Sequence, residues 1–202
     1  MRIIFATHNQ GKIKEMRNIL ASLNVEIASA EETGIFEDVE EDGKTFEENA
    51  LKKARFIMEK TGEWAVADDS GLCIGALDGA PGIFSSRWAG ESASGDELVN
   101  FTLEKMKNIP AENRSAYFES AIALVSPEGK HWTFAGTVDG KIAAISKGEA
   151  HPKLPYDVLF VPEGDEKTFA EMSQEEKNKI SHRGLAFLKL KEFIESSDEL
   201  KK

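Results

Sequence analysis

The chain has a single cysteine, Cys73, among its 202 residues. That excludes an intramolecular disulfide and any cysteine-based zinc cluster. Flanked by Leu72 and Ile74, it reads as a buried structural thiol. No run approaches the ~18 apolar residues of a membrane span. Nothing near the N-terminus resembles a signal peptide, so the expected location is the cytoplasm, with no membrane partner. Positive charge is scarce: 25 Lys and Arg stand against 36 Asp and Glu, a net charge of −11. Such a balance argues against broad nucleic-acid binding. It leaves room for a small anion such as a nucleotide, where a local cluster of Lys, Arg and backbone N–H groups overrides the global sign. Internal repeats, low-complexity stretches and the GxxxxGK[ST] phosphate loop are all missing. What remains is 41% hydrophobic and 30% charged, ordinary for a globular protein. The length suits one domain, or two lobes sharing a core.

The most informative stretch is Trp64–Leu72. Trp64-Ala65-Val66-Ala67 reads as a buried strand that ends in two adjacent carboxylates, Asp68 and Asp69, and a Ser70-Gly71 turn. Open α/β sheets place ligands at strand ends of this kind. Two neighbouring acids repel unless a cation, a proton or a hydrogen-bond network compensates. Two readings are open on this stretch alone. One carboxylate holds a divalent metal and acts as a base, or an Asp-Asp-Ser-Gly turn caps its own backbone.

Elsewhere, Met1–Ala6 is an apolar strand, and Thr7-His8-Asn9-Gln10-Gly11-Lys12 is a polar loop before a helix over Ile13–Leu23. Free N–H groups at that helix start, with Lys12, suit an anion. Val25–Ala28 is a second strand, followed by an acidic run containing Glu37, Asp38, Glu40, Glu41 and Asp42. Thr45-Phe46-Glu47-Glu48 is a capping box for a helix to Lys60. Asn49 and Lys53 share one face of it, a face that is ordinarily solvated. Asp78–Gly82 is a loop, with Arg87 nearby as an ion-pair partner or a phosphate contact. Asp96–Met106 is a helix. Ser115–Val125 and His131–Val138 form a hairpin, and Asp139-Gly140 turns into Lys141–Ile145. Ser146–Pro155 is irregular, and Val158–Val161 is a short strand. Ser173 caps a helix to Ile180, Ser181-His182-Arg183-Gly184 interrupts it, and Leu185–Ile194 is the last helix. The tail Glu195–Lys202 is expected to fray.

In register, these pieces resemble the Ham1/inosine triphosphatase-like pyrophosphatases over nearly the whole chain. Thr7–Lys12 is similar to the family's T-x-N-x-x-K loop, and Thr45–Ala50 with Lys53 to its T-F-x-E-N-A-x-x-K helix. Asp68–Leu72 is similar to its metal motif, and Ala80-Pro81-Gly82-Ile83 with Arg87 to the loop that follows. Glu175–Asn178, Ile180 and Ser181–Gly184 resemble its C-terminal signature. The resemblance implies a two-lobed α/β fold with a long mixed β-sheet flanked by helices and an active-site cleft between the lobes. It also implies a homodimer, a Mg²⁺ requirement, and hydrolysis of ITP, dITP and XTP to the monophosphate and pyrophosphate.

Residue by residue, it implies that Glu40 and Asp69 hold Mg²⁺ and that Asp69 accepts the proton of the attacking water. Asp68 positions its neighbour. Lys12, Lys53 and the first loop (Thr7, His8, Asn9, Gln10, Gly11) stabilise phosphate charge. Asn49, Ser70 and Arg87 lie along the substrate. Lys177, His182 and Arg183 contact the base, favouring a 6-oxo acceptor over adenine's amino group. One motif departs. Where the family carries G-F-G-Y-D-P, this chain has Lys153-Leu154-Pro155-Tyr156-Asp157-Val158. Tyr156 and Asp157 remain, but Leu154 lacks the stacking of an aromatic, worth roughly 0.5–1.5 kcal/mol. Pro155 fixes φ and removes an N–H. The expectation is a retained reaction with an altered base pocket. The rival readings are a related enzyme for pyrimidine or methylated nucleotides, and a nucleotide-binding protein without turnover.

Overall fold

The computed structural model describes residues 1–151 and 153–197. Its strands are β1 (Arg2–Phe5), β2 (Glu26–Ser29), β3 (Trp64–Ile74), β4 (Ser115–Val125), β5 (His131–Ile142) and β6 (Phe160–Pro162). The helices are α1 (Gln10–Ile19), α2 (Phe46–Thr61), α3 (Gly95–Lys105), α4 (Gln174–Ile180) and α5 (His182–Ser196). The strands make one six-stranded sheet in the order β2-β1-β3-β4-β5-β6. It is mixed: β1 runs parallel to β2 and β3, and β5 antiparallel to β6. The α/β class expected from the sequence is therefore observed. The chain divides into two compact units. The first holds residues 1–69, 120–136 and 185 onward, and the second residues 70–119 and 137–184.

In the first unit the alternation of strand side chains builds two apolar layers. Ile3, Phe5, Val66, Ile122 and Leu124 bury against Ile13 and Met16 of α1 and Ala186, Phe187 and Leu190 of α5. The residues between them face the other way. Ile4 and Ala65 pack with Ile57 of α2, and Ala67, Ala123 and Val125 with Ala50 and Ala54. Small residues there let α2 approach the sheet closely. The second unit has its own core, in which Leu72, Ile74, Ala116 and Phe118 pack with Leu98 and Val99 of α3 and with Tyr156, Phe160 and Phe169. Arg114 sits inside it with its guanidinium donating to the carbonyls of Met106, Ile109, Ile142 and Ala143.

Several boundaries differ from the sequence reading, each for a local reason. β3 does not end at Ala67. It runs through Asp68, Asp69, Ser70 and Gly71 to Ile74, so the expected Ser70-Gly71 turn is strand. β5 likewise continues through Asp139-Gly140, because Gly140, Lys141 and Ile142 pair with Pro162, Val161 and Phe160. A side chain at Gly140 would overlap the Val161 carbonyl, so this glycine serves close approach rather than a turn. α1 starts earlier than expected, because Asn9 caps it, and ends earlier, at Ile19. α5 begins at His182, with the Ser181 hydroxyl accepting from Gly184 N–H at 3.1 Å. It extends to Ser196, so the expected fraying does not hold for Glu195 and Ser196, and 198–202 lie outside the described residues. The β6 segment shifts to Phe160–Pro162, because Pro155–Val158 wind into a 3-10 turn.

Candidate active site

β3 presents its two acids to opposite faces. Asp68 shares the phase of Val66 and points to the α1 side, while Asp69 shares that of Ala65 and Ala67 and points to α2. Each meets a lysine there. Lys12 Nζ lies 2.7 Å from Asp68 Oδ2, and Lys53 Nζ lies 3.4 Å from Asp69 Oδ1. The expected repulsion is thus relieved by geometry as well as by charge.

Asn49 and Lys53 are one turn apart on the α2 face that Ala50 and Ala54 press to the sheet, so both are carried inward rather than to solvent. Asn49 is fully buried. Its amide donates to Asp69 Oδ2 at 3.0 Å, and its carbonyl accepts from Gly43 N–H at 2.8 Å. One side chain therefore fixes the orientation of Asp69 and anchors the acidic segment. That segment also delivers Glu41, whose Oε1 is 2.7 Å from Lys53 Nζ. Glu40, the expected ligand, is exposed. Its neighbour is the carboxylate brought to Lys53 and Asp69. Sequence reasoning passed over Glu41 because adjacent acids in an irregular loop carry no periodic signal of which one turns inward.

Burial raises the Asp69 carboxyl above the ordinary carboxylate range; Lys53 and the Asn49 amide oppose this, and Glu41 and Asp68 add to it. Burial would depress the Lys53 ammonium, but Asp69, Asp68 and Glu41 together outweigh it and raise its pKa. The result is a firmly charged lysine beside a carboxylate poised to take a proton.

The first loop is partly occupied with its own structure. Asn9 caps α1, accepting from Gly11 and Lys12 N–H at 3.0 and 3.4 Å, and Thr7 Oγ1 accepts from Asn9 N–H. Asn9 is therefore the helix cap, through its Oδ1. His8 Nδ1 lies 3.1 Å from Glu31 Oε1, and Gln10 donates to the same carboxylate. The first turn of α1 carries no acid, and Lys12 stands in it.

In the second unit, Lys177 pairs with Asp157, both buried, and its ammonium lies 5.2 Å from the centre of the Phe169 ring. His182 stacks on Phe118 with ring centres 4.7 Å apart and planes 11° from parallel. Arg183 reaches Ser70 Oγ at 3.5 Å. Gly184 follows because a side chain there would overlap the Asn178 carbonyl, where α4 and α5 meet. The Tyr156 hydroxyl donates to Ser85 O at 2.7 Å, and burial pushes its pKa up. The phenol is thus structural. Leu154 is half-buried, and its carbonyl accepts from Asp157 N–H at 3.2 Å as Pro155 opens the turn. Arg87 lies 3.8 Å from Glu91 and over the Phe84 ring.

Among the described residues no three His, Cys, Asp or Glu side chains converge as a metal cage. Asp69 and Glu41, both drawn to the Lys53 ammonium, nevertheless make a donor pair suited to Mg²⁺. That ion is held through one or two carboxylates with water and substrate phosphates.

Comparison with known proteins agrees with this architecture. The Ham1 family model matches residues 3–193. A dITP/XTP pyrophosphatase of Caldanaerobacter subterraneus is 46% identical over 195 residues, 96% of each chain. One from Geobacter sulfurreducens is 45% identical over 193 residues, again 96% of each. Among solved structures, a HAM1 protein from Coxiella burnetii matches with a TM-score of 0.90 at 37% identity, covering 98% of this chain and 100% of that one. From its pattern of motifs, its mixed sheet and these matches, the chain belongs to the Ham1 family.

Proposed function

We propose that this protein hydrolyses non-canonical purine nucleoside triphosphates, dITP, XTP and ITP, to the monophosphate and pyrophosphate, and so cleanses the nucleotide pool. The observation that carries the reading is the buried Asp69, held by Asn49 and Lys53 beside Glu41. The dITP/XTP pyrophosphatases that share 41–46% of its sequence supply the substrate class.

The roles follow from charge and position. Asp69, with its raised pKa, takes the proton of the water that attacks the α-phosphorus. Lys12 and Lys53 offset charge growing on the phosphate oxygens and on the leaving pyrophosphate. Asp68 holds Lys12 in place. Asp69 and Glu41 would hold Mg²⁺, with Glu40 as the neighbouring alternative. Such an ion, when bound, supplies charge neutralisation at the triphosphate and acidifies nearby water. In the second unit Lys177, aimed by Asp157, and His182 and Arg183 offer donors that suit a 6-oxo purine. A base presenting an amino group would leave those donors without acceptors. Leu154 gives the base an aliphatic contact in place of an aromatic one. The resemblance also carries a homodimer and a cytoplasmic setting; among the described residues no helix is long and apolar enough to cross a membrane.

The test is pyrophosphate release across dITP, XTP, ITP, GTP, dUTP and ATP, with and without Mg²⁺. Strong Mg²⁺-dependent release from the first three, and little from ATP, is expected. Equal turnover of ATP would overturn the base assignment, and no release from any nucleotide would favour a binding protein.

A further inference from the structure

Residues 35–43 have no regular secondary structure, yet they carry Glu41 to the site. Ion pairs hold the segment. Three run to lysines of α2: Glu37 to Lys60 at 3.3 Å, Glu41 to Lys53 at 2.7 Å and Asp42 to Lys52 at 2.6 Å. A fourth runs to the first loop, where His8 Nε2 lies 3.3 Å from Asp38 Oδ1. The other ring nitrogen of His8, Nδ1, is 3.1 Å from Glu31 Oε1 in the 3-10 turn just before the segment. That turn is fixed from behind, with Glu32 accepting from Arg17 and from Ser29 N–H.

Both imidazole nitrogens therefore face carboxylate oxygens, which accept hydrogen bonds and cannot donate while ionised. A neutral imidazole has one N–H, so it satisfies one contact and turns a lone pair toward the other carboxylate. Only the imidazolium donates to both. The groups facing the ring are Glu31 and Asp38, with the Gln10 amide sharing Glu31. Of the side-chain classes in these ion pairs, imidazole is the one that as a class exchanges its proton in the neutral range.

We propose that His8 is a positioning residue: a proton-dependent tether between the first loop and the acidic segment. Protonated, it cross-links Thr7–Lys12 to the segment that presents Glu41. Deprotonated, it keeps only one of the two contacts, so the chain of contacts from the 3-10 turn through His8 to Asp38 is broken while the ion pairs to α2 remain. The catalytic consequence rests on the function proposed above, but the tether itself does not.

The experiment compares the wild-type protein with His8→Gln and Asp38→Asn. The Asp38 side chain is 89% exposed, so Asp38→Asn carries little risk to folding. Amide exchange of residues 35–44 is measured as protection factors at about pH 6 and pH 8.5, alongside KM and kcat for dITP. In the wild type, protection is expected to fall roughly two- to five-fold over that interval, the effect of one or two partly exposed ion pairs. KM is expected to rise over the same interval with kcat little changed. In both variants protection is expected to be low and KM high at either pH. Identical protection in the wild type and Asp38→Asn at both pH values would overturn the tether. An absence of dITP turnover would instead count against the proposed function, and the exchange data would still decide the tether.

Discussion

Asp68 and Asp69 are neighbours in sequence, yet they stand on opposite faces of β3, each against its own lysine. That separation lets two acids sit side by side in a buried strand, and it divides their work. Asp68 is turned toward the first loop and the start of α1 through Lys12. Asp69 is turned toward Asn49, Lys53 and Glu41, where a proton can be taken up.

Asp69 supplies the pH dependence. Its native pKa is raised, chiefly by burial, so ionising it disfavours the native state. Stability from this group is therefore greatest at acid pH and declines as pH rises through the raised value. Activity runs the other way, because the base must be ionised. The raised value belongs to the metal-free protein, and Mg²⁺ held by Asp69 would favour its ionised form, so the acid limb of kcat/KM is expected to move to lower pH as Mg²⁺ is raised. Asp69→Asn is expected to lose about 10²–10⁴-fold in kcat, and steady-state pH profiles check both.

Glu41 and Glu40 separate cleanly by mutation. Glu41→Gln removes the carboxylate at 2.7 Å from Lys53. It is expected to lower activity at least roughly ten-fold and raise the Mg²⁺ needed for half-maximal rate, the scale at which groups around a metal act. Glu40→Gln, on an exposed side chain, is expected to change either by less than about two-fold, within the range of ordinary surface substitutions. Titrating Mg²⁺ against both variants decides which carboxylate serves.

The half-buried Leu154 gives a test of base binding. Leu154→Phe restores an aromatic surface, and stacking of roughly 0.5–1.5 kcal/mol corresponds to a KM for dITP about two- to ten-fold lower. The expected signature is a change in KM with kcat nearly constant, since a platform under the base binds ground and transition states alike. Kinetics with dITP and XTP measure it.

Arg114 is a stability test away from the chemistry. Its guanidinium donates to four carbonyls, two buried (Met106 and Ile142) and two part-buried (Ile109 and Ala143), from the end of α3, the following turn and the end of β5. Arg114→Ala is expected to destabilise by several kcal/mol, because buried acceptors lose charged donors worth about 1.5–3 kcal/mol each and the losses are not additive. Chemical denaturation followed at the second unit's aromatics would show the shift.

Much of this was legible from local chemistry. Thr45 and Ser173 cap their helices through the hydroxyl-to-N3 pattern visible in the sequence, and β4 occupies Ser115–Val125 as its apolar run indicates. The passage of β3 through Asp68-Asp69-Ser70-Gly71 was not legible. It depends on Lys12 and Lys53 arriving from elements distant in sequence. Asp139-Gly140 misleads for a related reason: a dipeptide suited to a turn is held as strand by its pairing with β6. Asn49 and Lys53 were placed on the right face of α2, but whether that face met solvent depended on the alanines that bring the helix to the sheet. His8 was placed with the first loop, but its contacts with Glu31 and Asp38 carried no signal, because both partners lie in the irregular acidic stretch or at its edge.

The most direct measurement is to hydrolyse dITP in water labelled with heavy oxygen, with Mg²⁺, and to follow the products by phosphorus NMR and mass spectrometry. Attack at the α-phosphorus predicts label in the nucleoside monophosphate, unlabelled pyrophosphate, and no orthophosphate beyond background. Label in pyrophosphate, or formation of a nucleoside diphosphate with orthophosphate, would contradict the reaction assigned to Asp69 and its neighbours.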